Sequence, residues 1–228
     1  MFIIGPAGIK DFFADQLHII KNLKFDVRCF ELVDRYHEFQ FEDCKLSAFK
    51  VKHGVATYGY TVDMIQAPTF DVEKAESYNI PRQFWEAIAK SIDFEFNNQI
   101  ITREEFLGKS RRHLRVSYIT DTAYTSSIAQ NCKNADILIL EGMYTSKYIP
   151  AELSDKMHLT YKEAGEIANE ANANILCLTH YCARIAKPKA SLSEVTAIHR
   201  NSICGYDGLT FTLNFNSDKI DISSSSSE

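Results

Sequence analysis

The chain has 228 residues with 45% hydrophobic and 24% charged side chains, which suits one soluble globular domain with a sizeable core, or two small ones. A formal net charge of −5 and a pI near 5.8 exclude a uniformly basic nucleic-acid binder, so any such contact needs a local patch or a metal. No apolar run approaches the length of a membrane span, and the six cysteines show neither CxxC nor zinc-knuckle spacing. They read as reduced thiols in a cytoplasmic protein.

In chain order, Met1–Ile4 reads as a strand, and Gly5-Pro6-Ala7-Gly8 as a turn that rules out a signal peptide. Lys10–Ile20 has helical apolar spacing. Phe25–Leu32, Lys45–Lys52 and Tyr58–Met64 read as strands, the last two paired antiparallel across His53-Gly54. Asp71–Tyr78 and Pro81–Ile92 are short helices, and Phe94–Phe96 with Gln99–Thr102 is a hairpin turning at Asn97-Asn98. Lys109, Arg111, Arg112 and Arg115 form a basic cluster, read as a solvated charge run with phosphate contact as the alternative. Val116–Ile119 and Ile137–Leu140 are short buried strands. Thr160-Tyr161-Lys162-Glu163 and Ser191-Leu192-Ser193-Glu194 are capping boxes, each opening a helix. Ile175–Leu178 is another buried strand and Leu209–Phe215 a final alternating one. The tail DISSSSSE is low in complexity and reads as disordered.

Four residues share one placement. His53, Asp121, Glu141 and His180 each follow a predicted strand, and His158 stands two residues before a helix N-cap. In layered α/β folds, strand ends are where a rigid scaffold meets open solvent. Imidazole nitrogen and carboxylate oxygen there are the donors that suit zinc or a similar divalent ion, and a carboxylate can bridge two such ions. Each residue has a plainer reading: Asp121 as a turn residue bonding its own backbone, Glu141 as a solvent-facing carboxylate, the histidines as partly exposed turn residues.

The words around these residues resemble ribonuclease Z, the transfer-RNA 3′-end processing endonuclease of the metallo-β-lactamase superfamily. FIIGPAGIKDFF, VKHGVATYGYTV, ITDT, ADILILEGMY, MHLTYKEAGEIA, LTHYCARI and GYDGLTFTL stand in that family's order from about Phe2 to Phe215. The resemblance implies an α/β fold, a metallo-β-lactamase-like four-layer αββα sandwich. It implies a single domain over 1–216, with a substrate-binding arm inserted at 64–110, before a disordered Ser-rich tail over 217–228. It places His53, Asp121 and His180 on metal ligands, Asp121 bridging, with two zinc ions per site. It places His158 and Glu141 on catalytic positions. Arg82 and Lys90 on the arm, and Arg184 after the last histidine motif, are its candidate substrate contacts. The implied substrate is precursor transfer RNA, in a cytoplasmic homodimer with no membrane partner.

The family's H-x-H-x-D-H signature is absent, since no two histidines stand at i, i+2. The resemblance therefore implies an N-terminally truncated form with an incomplete ligand set. Either the sequence starts at an internal methionine of a longer protein, the favoured expectation, or it is a degenerate relic. Thr120 stands where the family has glycine, and Leu140 with Gly142-Met143 departs from the family around Glu141. Acidic and basic residues balance from Met64 to Arg115, so the arm is not strongly basic. A phosphodiesterase acting on a small molecule, and an inactive RNA-binding or dimerisation subunit, remain as alternatives to the endonuclease.

Overall fold

The computed structural model describes residues 1–19, 23–66, 68–90, 94–96, 99–108, 112–149 and 157–224. The chain folds as two compact units, one of Met1–Met64, Leu114–Thr212 and Asp221–Glu228, the other of Ile65–His113 and Leu213–Ile220.

Phe2–Pro6 (β1) leads through Ile9–Ile19 (α1) to Arg28–Leu32 (β2), which pairs in parallel with β1. Tyr36–Gln40 (β3), Cys44–Lys50 (β4) and Tyr58–Met64 (β5) form an antiparallel meander. The second unit follows. Val72–Ser77 (α2) is capped by the Asp71 side chain, and a 3-10 turn at Arg82–Phe84 precedes Trp85–Ala89 (α3). Phe94–Phe96 (β6) and Gln99–Ile101 (β7) pair as a hairpin. Ala75, Ile80, Ile88, Ile101 and Phe106 give this unit its own small core.

Back in the first unit come Leu114–Ile119 (β8), Ser126–Asn131 (α4), Ile137–Glu141 (β9), Tyr161–Glu170 (α5), Ile175–Thr179 (β10), Leu192–Thr196 (α6) and Ser202–Cys204 (β11). Leu209–Asn214 (β12) and Ser217–Ser224 (β13) close the chain as a two-stranded sheet.

The central sheet runs β11-β10-β9-β8-β5-β4-β3. β8, β9, β10 and β11 are mutually parallel, and β5 runs antiparallel to both β8 and β4. Two reversals make β4 parallel to β8. The carboxyl ends of β4, β8, β9 and β10 therefore open at one edge of the sheet, the edge where such sheets place chemistry. The scaffold behind that edge is dry: Ile119, Ile128, Leu138, Leu140, Leu159, Tyr161, Ile167, Leu176, Leu178 and Val195 are all fully buried in one cluster. Each Leu or Ile sequestered there contributes about 1.5–3 kcal/mol. Packing is tight enough that β5 needs glycine at position 59, where a Cβ would lie 2.7 Å from both Ile119 and Phe49.

Several expectations change. β3 and β11 are strands that alternation did not reveal; β3 is an edge strand with the mixed sequence Tyr-His-Glu-Phe-Gln, and β11 has three residues. The tail expected to be disordered from residue 217 instead forms β13, because Ile220 and Ile222 alternate with polar residues and pair with β12. The end of the tail, from 225, lies outside the described residues, as do the turn at Asn97-Asn98 and Lys109 and Arg111 of the basic cluster. Ser191 makes no capping bond with its side chain: it is the last residue of a 3-10 turn, Pro188–Ser191, with ψ at 12° and not in the extended range of a cap, and Glu194 bonds Ser146. Thr160 does cap α5, with the reciprocal Glu163 bond present.

Candidate metal centre

The loop after β4 is stitched to the loop after β8. Ala123 N–H donates to the Lys52 carbonyl at 2.7 Å, and Lys52 N–H to Thr122 Oγ1 at 3.3 Å. This pairing of loops brings His53 beside Asp121. Asp121, two residues past β8, and His180, directly after β10, have left-handed backbone at φ 53° and 55°, and Met157 before His158 is at 48°. Left-handed non-glycine residues are held only where surrounding bonds over-determine them, and they gather at functional sites. Both turns are so held: Thr122 N–H donates to Glu141 Oε1 at 2.6 Å, and Cys182 N–H to the Met143 carbonyl at 3.1 Å.

Glu141 is the hub. The sequence places it past the end of its strand, with a solvent-facing carboxylate as the plainer reading. It is the last residue of β9, it pairs with Thr179, and its side chain is 0% exposed. Oε2 accepts from Nδ1 of His158 at 2.9 Å and of His180 at 3.2 Å. His53 Nδ1 lies 3.2 Å from the Met157 carbonyl, a pure acceptor, so that nitrogen carries the proton. In all three imidazoles Nδ1 is thus engaged by an acceptor and Nε2 keeps its lone pair. This is the support that orients metal-binding histidines elsewhere.

The rings gather closely, His53 to His158 at 5.1 Å and His158 to His180 at 5.4 Å between centroids, and His180 Nε2 stands 3.5 Å from Asp121 Oδ1. Donor atoms of His53, Asp121 and His158 lie within 4.8 Å of one another. Glu141, His158 and His180 satisfy the same distance, but Glu141 is already bonded to both imidazoles and to Thr122, so this second trio is the support of the centre. Two imidazoles and a carboxylate converging from one sheet edge fit a divalent cation by donor chemistry.

All five residues singled out at the centre, His53, Asp121, Glu141, His158 and His180, are brought together. His158, singled out for catalysis, stands with His53 and Asp121 in the set closest to a ligand triad. The Met157 carbonyl, the Thr122 backbone and the Tyr144 ring, 6.3 Å from His158 and edge-on, also belong to the neighbourhood. Nothing in the sequence signals a backbone carbonyl, but Thr122 adjoins Asp121 and was open to notice.

Of the candidate substrate contacts, Arg82 and Lys90 belong to the second unit and Arg184 to the first. Arg82 pairs with Glu76 and stacks on Trp85, and Lys90 pairs with Glu86 at 2.6 Å. Arg184 is exposed, and its charge acts on the Tyr144 hydroxyl. In the basic cluster, Arg112 binds Asp218 and the carbonyls of Asn214 and Ser217, while Arg115 clamps Asp63 and caps the Lys133 carbonyl. These two arginines are structural. His199, buried, has both nitrogens satisfied by Ser202 and the Ala173 carbonyl.

A family profile, the Beta-lactamase superfamily domain, matches residues 104–181. Among curated proteins, the chain is 31% identical over 216 residues to Ribonuclease Z of Agathobacter rectalis, covering 95% of this chain and 71% of that one. It is likewise 31% identical to Ribonuclease Z of Clostridium botulinum, with 94% and 72% covered. Among solved structures it matches human tRNase Z, short form, at TM-score 0.56 and 16% identity, covering 90% of this chain and 65% of that one. A metallo-beta-lactamase fold protein of Bacillus subtilis matches at TM-score 0.54 and 17% identity, with 89% and 61% covered. The chain thus spans somewhat less than two thirds of those two structures, and the likeness shows the metallo-β-lactamase fold.

Proposed function

The chain belongs to the ribonuclease Z family, and from that premise we propose that it is a metal-dependent endoribonuclease that removes the 3′ trailer of precursor transfer RNA by hydrolysing one phosphodiester bond. The observation that carries this reading is the convergence of His53, Asp121, His158 and His180 at one sheet edge, with Nδ1 of each imidazole engaged by an acceptor.

In this reading His53, Asp121 and His180 would hold the divalent metal, zinc by the family's habit. Zinc when bound would supply a Lewis acid for the phosphoryl oxygens and would ease ionisation of the water that serves as nucleophile. The chain's own groups do the rest. Glu141 Oε2 fixes the His158 and His180 rings and compensates positive charge on His158. His158 also stands beside His53 and Asp121, but in this reading its Nε2 is kept for the substrate and not for the metal, and with Nδ1 held by Glu141 it passes a proton to the departing oxygen. Arg184 stands on the turn that carries His180 and contributes a cation for substrate, and Arg82 and Lys90 do so from the arm. The assembly is a cytoplasmic homodimer.

The test is direct. Purified chain supplied with zinc is incubated with a precursor transfer RNA, beside Asp121→Ala. The reading expects 3′-trailer release by the unsubstituted chain and loss of both cleavage and metal retention in the variant. An intact precursor in the presence of stoichiometric bound metal refutes it.

A further inference from the structure

A second feature opens directly from His53. A cleft of about 770 Å³ runs from His53 and Gly54 along the end of β4 to Arg35 and Tyr36, with Thr125, Ser127 and Asn131 of the α4 segment on its other wall. Among the described residues its lining holds three cations, Arg35, Lys50 and Lys52, and no carboxylate. All three are exposed, and among the described residues none of them forms an ion pair. In a chain of net charge −5 this is a local reversal of sign. Such unneutralised cations in a concave site raise the local concentration of anions.

Tyr36 adds a second kind of contact. Its ring is 48% exposed, and its hydroxyl is held at 3.0 Å by both Glu38 and Ser47. The Glu38 carboxylate is itself offset by Lys45 at 3.3 Å. The ring is therefore fixed in place with apolar surface open to the solvent. Cations that track a backbone, beside an aromatic surface, make the combination that binds single-stranded nucleic acid without reading its sequence. On the opposite wall the Thr125 and Ser127 hydroxyls bond each other and the Asn131 amide donates to the Ser127 carbonyl, which leaves the second amide hydrogen of Asn131 for a phosphate or sugar oxygen.

We propose that this cleft binds the phosphate backbone of a single-stranded RNA segment leading to the reacting phosphate, through Arg35, Lys50 and Lys52, with one base stacked on Tyr36. The inference rests on the phosphodiesterase reading of the neighbouring centre for its direction, but binding alone can test it. A labelled RNA of about ten nucleotides, matching the site size of such grooves, is titrated with the full chain and followed by fluorescence anisotropy over a range of salt. Arg35→Ala combined with Lys50→Ala is expected to weaken binding roughly tenfold at low salt and to flatten the salt dependence by about 0.7 per lost contact. Arg35→Lys combined with Lys50→Arg keeps both charges at exposed positions and is expected to bind like the unsubstituted chain. Tyr36→Leu is expected to weaken binding with the salt slope unchanged.

Equal binding by the double-alanine variant overturns the proposal. So does an equal loss in the charge-keeping variant, which would make the effect one of structure. Competition by poly-glutamate as effective as by unlabelled RNA overturns the assignment to RNA. Because binding is read apart from cleavage, a chain that cuts no precursor yet shows the expected losses sinks only the phosphodiesterase reading.

Discussion

At the scale of single residues, the centre depends on one buried carboxylate more than on any ligand. Glu141 accepts from two imidazoles and a backbone N–H, and it sets which nitrogen of each ring keeps its lone pair. Glu141→Gln keeps the shape but has one acceptor oxygen where two are in use, so its oxygen stays with Thr122 N–H and its NH2 faces His158 and His180, which lose the bond that fixes their tautomer. Metal affinity, measured by chelator competition, is expected to fall about 10–100-fold, as for other outer-shell partners, with the imidazole nitrogen signals shifting in NMR. Unchanged tautomers and affinity would remove Glu141 from this role. The thiols give a pH prediction. Burial pushes Cys132 and Cys177 up to about 11 from an ordinary value near 9.0. A raised folded value means folding favours the neutral thiol, so this stabilising contribution is complete below pH 9 and is lost as pH rises towards 11. For Cys132 the full effect is roughly 2–3 kcal/mol. Thermal melts should fall over that window and fall less in Cys132→Ala. At pH 8, iodoacetamide should label Cys29, Cys44 and Cys182 before the three buried thiols.

At the scale of elements, two similar sequence signals separate. Thr160 and Ser191 each begin a capping-box pattern, but only Thr160 caps a helix, while Glu194 is drawn to Ser146. Thr160→Ala should therefore destabilise the protein by about 1 kcal/mol, and Ser191→Ala by much less, both read as shifts in denaturant midpoint. Equal costs would mean that Ser191 caps in solution. The same contrast explains what was legible. Buried strands such as β9 and β10 announce themselves as short apolar runs, because both faces are covered. β3 sits at the sheet edge with one face wet, and its pattern Tyr-His-Glu-Phe-Gln dilutes the period that would mark it. β13 was hidden by serine-rich composition although Ile220 and Ile222 carry a strand's alternation.

At the scale of the whole molecule, the longer segment of the second unit, Ile65–His113, is an excursion between two neighbouring strands. Met64 and Leu114 face each other across the antiparallel β5–β8 pair, so a two-residue Asn-Gly turn can join them. Replacing Ile65–His113 by such a turn should leave a cooperative melt and hydrolysis of a small phosphodiester, while precursor transfer RNA binding drops about tenfold or more, as expected when one of two linked contacts is removed. Loss of the cooperative melt would show that the central sheet needs this unit, and undiminished RNA binding would deny it a role as an arm. The sequence by itself determined the residue types and their order: His53, Asp121, Glu141, His158 and His180, each beside a recognisable strand or cap, and the words that pointed to the family. That much is local, since apolar runs and capping residues act within a few positions. Only the tertiary structure decided that β4 runs parallel to β8, and so that His53 opens at the same edge as Asp121 and His180. It alone buried Glu141 between two imidazoles and left Arg35, Lys50 and Lys52 without carboxylate partners among the described residues, because strand direction and charge neighbourhood are set by contacts between residues far apart in the chain.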